Sequence, residues 1–485
     1  MKAHIKDLED IASQHYFQDF DSILGAYDRA GSLFSKVGGV YGNYISSLNT
    51  PDMQEVQSAM ASVLSRHRSK CYNIPGLFEK VSSMYDIREE MAKKGEWTSE
   101  QVRLAERVYT AFIRMGAKLN EEEKKEYADI QAAQAELQTK FMQNMLKDEE
   151  TWEMVITAED MTGCPEDLVA ASRQAAIDRG HDGEDDHVVT LGRSLVEPFL
   201  TYSTRRDLRK KAFEAWTSRG ELSEERDNLS IATKILRLRK RQANLMGHTT
   251  FAKYQTEDTM AQNPENVMKL SMDVWERAKE AANKERAMME SFLSEKGDEL
   301  EGGIQPWDWR FYAEQVRQAN FNFDESELKP YLSLDAVTNA VFDVSNKLYG
   351  LKYVKRDDIK AYHKDVNVYE VRRAKKEDPD EDELVAIFLH DNYARAHKSS
   401  GAWMSEYRTQ KKNVIAGTDA IEKVPIVSNN NNFAKGAGAT LLSFDDGTTL
   451  FHGKLLIVLL VLSLRSNTHS TLHSRNGSRT SRDAE

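Results

Sequence analysis

The sequence predicts a mostly α-helical protein carrying one small β-sheet, and three observations carry that prediction. Apolar residues recur at three- and four-residue steps from residue 1 to about 300, the spacing of one helix face. From about Tyr349 the pattern turns to alternation, the period of a half-buried strand. Composition agrees, since 30% charged and 40% hydrophobic residues with nine prolines leave few helix breakers in 485 residues. That length accommodates two or three compact domains.

The clearest helix starts at Asn120, an N-cap with Glu123 at the capping-box position. Tyr127, Ile130, Ala133, Leu137, Phe141 and Met145 then fall on one face, expected to be buried. Asp160 to Gly180 reads as a second helix with glycine as its stop, and Leu191 to Gly220 as short helices around Phe213 and Trp216. Asn263-Pro264-Glu265 starts a long amphipathic helix that ends near Lys296, before Gly297. Ala361 to Val371 and Leu384 to Leu389 read as paired strands joined by the acidic stretch 375–383. Val424 to Val427 is a short strand, and the asparagines from Asn429 read as a polar loop after it.

Charge and cysteine usage exclude several classes. The net charge is −12, and the basic stretches 205–211 and 237–241 sit among acidic neighbours as solvated helix faces, so no nucleic-acid surface is expected. Cys71 and Cys164 cannot form a disulfide framework, and the polar start Met1-Lys-Ala-His is no signal peptide. Together they point to a cytoplasmic protein. The one continuous apolar run, Leu455 to Leu464, is about half of a membrane helix, and no membrane association is expected.

The stretch Leu441 to His452, ending Leu-Phe-His, has the form of a lead-in to a zinc helix. Zinc hydrolysis of peptides needs two histidines one helical turn apart, a third ligand, and a carboxylate that takes the proton of the attacking water. None of the twelve histidines stands in a His-Glu-x-x-His sequence. His469 and His473 have the i,i+4 spacing, but Ser470 takes the carboxylate's place and the pair reads as an accident of a biased segment.

Several longer stretches carry a specific resemblance. They are Gly116 to Leu119, Gln305-Pro-Trp-Asp-Trp-Arg-Phe-Tyr312, Leu328 to Tyr331, Leu348 to Leu351, Tyr362 to Val366, Phe388 to Lys398, Gly401 to Trp403 and Leu441 to His452. In this order they resemble the thimet oligopeptidase/peptidyl-dipeptidase family of zinc metallopeptidases, on its peptidyl-dipeptidase side, over about residues 1–452. The resemblance implies a helical N-terminal lobe over 1–260 and the first part of a zincin-type catalytic lobe over 261–452. It also implies short peptides as substrates, zinc as cofactor and a monomer.

By position His452 matches the family's first zinc-binding histidine, Gly453 stands where the catalytic glutamate belongs, and the second histidine has no equivalent. A chain of this sequence is expected to bind no catalytic zinc and to have no catalytic residue. The alternative to a silent peptidase is a non-catalytic helical protein that binds peptides or a partner. The resemblance suggests His363, Arg395, Lys398 and Asn430 as substrate-binding residues, with the region after Val424 as an edge strand for the substrate backbone. Asp391 could equally pair internally with Arg395. Trp307, Asp308 and Trp309 match a family signature but read as packing.

Residues 453–485 carry five basic and two acidic side chains without amphipathic period and read as aberrant or disordered. A frameshift or retained intron in the gene is the preferred origin, a genuine splice form the competing one. The first helices of the family are also expected to be missing ahead of Met1.

Overall fold

The computed structural model describes residues 1–15, 19–297, 299–321, 325–375, 378, 380–411, 413, 424–435 and 439–463, with backbone alone at 325–326 and 454–463. The first helices are α1 (Lys2–Ala12), α2 (Ala26–Arg29), α3 (Ser32–Ser47), α4 (Pro51–Tyr72), α5 (Leu77–Lys94), α6 (Ser99–Arg114) and α7 (Glu121–Thr151). Ile5 and Leu8 of α1, Leu77 and Val81 of α5, and Val108 and Phe112 of α6 meet in one core. Full burial of side chains of this size stabilises by about 1.5–3 kcal/mol each.

The capping box at the start of α7 forms as expected. The Glu123 amide donates to Asn120 Oδ1 at 2.9 Å, and the Asn120 amide donates to Glu123 Oε2 at 3.1 Å. Tyr127 and Ile130 are buried, but Ala133, Leu137, Phe141 and Met145 are only half-buried. The helix instead buries Gln134, Asn144 and Asp148. Each of these has a polar partner, such as Gln242 for Gln134 and Asn228 for Asn144, so paired amides take part in the contact with the later helix Asn228–Leu245.

Next come β1 (Glu153–Ile156), α8 (Glu166–Asp178), β2 (His187–Thr190), α9 (Arg193–Tyr202), α10 (Arg206–Thr217), α11 (Asn228–Leu245) and α12 (Phe251–Thr256). The antiparallel pair β1–β2 was not legible in the sequence. The helix expected from Asp160 starts only at Glu166, because Gly163 at φ +87° and Pro165 interrupt it; Gly180 ends it at φ +84°. The basic stretch at the start of α10 is not a solvated face throughout, since Arg209 is fully buried.

Helix α13 (Pro264–Lys296) begins where Asn263-Pro264 sets it, with Asn263 Oδ1 accepting the Asn266 amide at 2.8 Å. Its apolar stripe is buried only near the end, at Met289 and Leu293; Val267, Met268, Leu270, Val274 and Trp275 are exposed. Then follow α14 (Trp309–Phe321), α15 (Glu325–Leu328), α16 (Leu334–Tyr349), β3 (Leu351–Lys355), β4 (Val366–Ala374), β5 (Asp382–Tyr393), β6 (Trp403–Arg408), β7 (Ile426–Phe433) and α17 (Phe444–Ser463).

Five strands form one mixed sheet in the order β3-β4-β5-β7-β6, with β5–β7 parallel and the other pairs antiparallel. The expected β4–β5 hairpin is present, though it starts at Val366 rather than at Ala361. The region after Val424 is neither a loop nor an edge. Asn429 to Asn432 lie inside β7, flanked by β5 and β6. The chain is thus mostly helical with a small mixed sheet. Among the described residues no helix is long and apolar enough to cross a membrane.

Candidate functional site

The resemblance-derived residues gather at the C-terminal end of β5 and along β7. Asp391 is fully buried there, and burial pushes its carboxyl up, but the Arg395 hydrogen bond, the Lys398 charge and the Tyr362 hydroxyl outweigh this and hold it below the usual carboxylate range. Arg395 grips it with both ends, Nη1 to Oδ1 at 2.7 Å and Nη2 to Oδ2 at 2.8 Å. Lys398 Nζ donates to Oδ1 at 2.9 Å, and the Tyr362 hydroxyl donates to Oδ2. Burial and the adjacent Asp391 charge push the Tyr362 hydroxyl up, so it stays a donor.

Arg395 and Lys398 also tie separate segments together. Arg395 Nη2 donates to the carbonyl of Ser47 at 2.7 Å, at the end of α3, where helix carbonyls lack partners. Lys398 Nζ donates to the carbonyls of Tyr393 at 2.8 Å and of Asn431, and burial pushes this ammonium down to about 8. The internal pairing with Asp391 is therefore the arrangement the structure has, and Lys398 presents no surface to solvent.

Asn430 is equally enclosed. Its Nδ2 donates to Ser428 Oγ at 3.1 Å, and its Oδ1 accepts from Tyr362 Oη and Ser47 Oγ, both at 3.3 Å. His363 lies in the turn before β4 rather than on a strand, because its carbonyl accepts the Val366 amide at 3.1 Å. Its Nδ1 accepts the Asp365 amide at 3.3 Å, and burial, with the nearby Arg395 charge, pushes the imidazole down. Three of the four residues thus share one network around Asp391, and its two other members, Tyr362 and Asp391, both lie in the stretches Tyr362 to Val366 and Phe388 to Lys398 that carry the resemblance.

The strand expected to be an edge, β7, is internal; the edge on that side of the sheet is β6, and α3 stands against it. Asn43 Nδ2 donates to the Glu406 carbonyl at 3.3 Å, and a Cβ at Gly39 would lie 2.7 Å from the Tyr407 carbonyl oxygen. Strand addition there would have to displace α3.

His452 is exposed on α17. The next residue, Gly453, has no side-chain donor, and one turn onward the sequence has Leu456. A Cβ at Gly453 would lie 2.6 Å from Asn429 Oδ1. Asn429 is buried, and among the described residues neither its Oδ1 nor its Nδ2 has a hydrogen-bond partner. The residues here do not fit zinc, because one imidazole beside a glycine and an aliphatic residue supplies one ligand where at least three are needed. His469 and His473 lie outside the described residues.

Trp307, Asp308 and Trp309 are structural. Asp308 is fully buried and accepts from Arg206 and Arg209 of α10, while Trp307 packs edge-on against Phe213 with ring centres 6.5 Å apart.

Comparison with known proteins gives the chain its class, since residues 199–460 match the family model described as Peptidase family M3. It is 30% identical over 450 residues to the dipeptidyl carboxypeptidase of Escherichia coli (strain K12), covering 91% of this chain and 62% of that protein. It is 27% identical over 454 residues to oligopeptidase A of Haemophilus influenzae, with 92% and 63% covered. An organellar oligopeptidase A of Arabidopsis thaliana is 26% identical over 384 residues, with 76% and 47% covered. The chain belongs to peptidase family M3. It spans about three fifths of the length of the bacterial relatives.

Proposed function

We propose that this chain has the body of a short-peptide hydrolase without its zinc chemistry, and that it does not cleave peptides as it stands. The observation that carries the reading is Gly453 beside His452. Hydrolysis needs a second imidazole, a third ligand and a proton-accepting carboxylate, and the sequence of α17 next to His452 supplies none of them. On this reading residues 1–260 are one lobe and 261–452 the start of the other. His363, Arg395, Lys398 and Asn430 then frame the peptide-binding region. Three act by holding the Asp391 network, and His363 is the most open of them, with 24% of its side chain exposed.

The test is an assay of the purified chain on quenched fluorescent peptides and on peptides with free C-termini, with added Zn²⁺ and with chelator. Turnover no greater than in buffer is the expected result. Chelator-sensitive turnover that disappears in His452→Ala would overturn the proposal.

A further inference from the structure

We propose that His4, His67 and Cys71 form a binding site for a thiophilic d¹⁰ cation, Zn²⁺ in the first instance, within the N-terminal helices and independent of His452. Helix α4 carries His67 and Cys71 four residues apart, which brings both side chains to one face, and α1 supplies His4. The donor atoms converge. His4 Nδ1 is 3.1 Å from His67 Nε2, and Cys71 Sγ is 3.6 Å from His67 Nε2 and 3.8 Å from His4 Nδ1.

These separations match the edges of a zinc coordination shell. Zn–N bonds of about 2.05 Å and a Zn–S bond of about 2.3 Å at tetrahedral angles put two nitrogens about 3.3 Å apart and nitrogen and sulfur about 3.6 Å apart. The three donors need to move only a few tenths of an ångström. Among the described residues no other group of three His, Cys, Asp or Glu side chains converges in this way.

The surroundings exclude water and hold the rings. His4, His67 and Cys71 are 5%, 9% and 7% exposed. Phe34 stacks on His4 with centroids 5.6 Å apart and meets His67 edge-on at 4.8 Å. Gly31, at φ +69°, lies so near the His4 ring that a Cβ there would lie 2.5 Å from His4 Cδ2. A thiolate with two imidazoles selects zinc or copper(I) over the oxygen-seeking calcium and magnesium.

Binding requires each imidazole to carry its proton on the ring nitrogen away from the ion, and the Cys71 thiol to release its proton to solvent as the S–Zn bond forms. The bound ion would join α1 to α4.

The experiment strips the full-length chain with chelator, titrates it with Co²⁺ as a spectroscopic probe, and displaces that with Zn²⁺. One equivalent per chain with a thiolate-to-cobalt charge-transfer band is expected. Cys71→Ser should abolish the band and weaken Zn²⁺ binding by about 100-fold or more, since loss of even an outer partner costs about 10–100-fold. Cys164→Ser, His452→Ala and the double variant His469→Ala/His473→Ala should keep both. A wild-type titration without a thiolate band, or a band that survives Cys71→Ser, overturns the proposal. If Cys71→Ser does not fold, zinc-edge X-ray absorption of the loaded wild type decides. One sulfur with two imidazoles supports the site, and a shell of nitrogen and oxygen alone refutes it.

Discussion

Arg209 donates its Nη2 to Asp308 Oδ1 at 2.9 Å, and both side chains are shut away from water. Arg206 grips the same carboxylate from the rim, with Nη2 to Oδ2 at 2.8 Å. Two cations from α10 thereby fix the turn that opens α14. Replacing Asp308 with Asn leaves the buried Arg209 guanidinium without a counter-charge, so unfolding titrations at neutral pH should show a loss of about 3–5 kcal/mol. Burial pushes the Asp308 carboxyl up, but the bonds from Arg206, Arg209 and the Gln305 amide prevail and hold it below its ordinary 3.8. The unfolded chain therefore takes up the proton first as pH falls. This part of the stability is intact above about pH 3.8 and is lost below it. Thermal melts of Asp308→Asn should lack that acid-side loss.

Around Asp391 the charges are unequal, with two cations on one carboxylate. Asp391→Asn strands both Arg395 and Lys398, whereas Lys398→Met leaves the two-pronged Arg395 pair in place. Asp391→Asn should cost about 3–5 kcal/mol and Lys398→Met clearly less. Denaturant midpoints should also show the double variant costing less than the two single changes added, because the residues share one network. Equal costs for the two single variants would contradict this account.

Elements set by neighbouring residues were legible in the sequence, and elements set by distant partners were not. The capping pair Asn120–Glu123 and the Asn263-Pro264 start act within three residues, and both appear as read. Asparagine disfavours strands by propensity, yet Asn430, Asn431 and Asn432 lie in an inner strand, where partners far away in sequence take up hydrogen bonds of their amides. Asn431 donates to Asn392, and Asn432 to the carbonyls of Ser399 and Gly401. Arg209 looked like a surface base until Asp308, ninety-nine residues on, supplied the counter-charge. The His67–Cys71 spacing is visible in the sequence, but His4 joins it only through the packing of α1 on α4.

Adjacent asparagines of β7 should respond differently to truncation. Asn430 makes hydrogen bonds with Ser428, Tyr362 and Ser47, so Asn430→Ala should cost about 1–3 kcal/mol. The Asn429 amide is buried without a partner among the described residues, and its removal relieves a desolvated polar group. Asn429→Ala should change stability by no more than about 0.5 kcal/mol. Chemical denaturation of the two variants side by side checks the contrast.

The apolar stripe of α13 governs how the chain behaves in solution. Leu270, Val274 and Trp275 are 69%, 59% and 58% exposed, and Val267 and Met268 extend the same surface. Contiguous apolar surface of this kind on a soluble chain promotes association. The purified protein should therefore bind a hydrophobic dye and sediment as polydisperse material. Leu270→Glu with Val274→Lys places opposite charges four residues apart on the helix, which supports the helix by about 0.2–0.5 kcal/mol while it interrupts the stripe. Sedimentation velocity should then show a larger monomer fraction, with dye fluorescence reduced and helix content by circular dichroism unchanged. A monodisperse wild-type chain with no dye response would show that this surface is covered in solution.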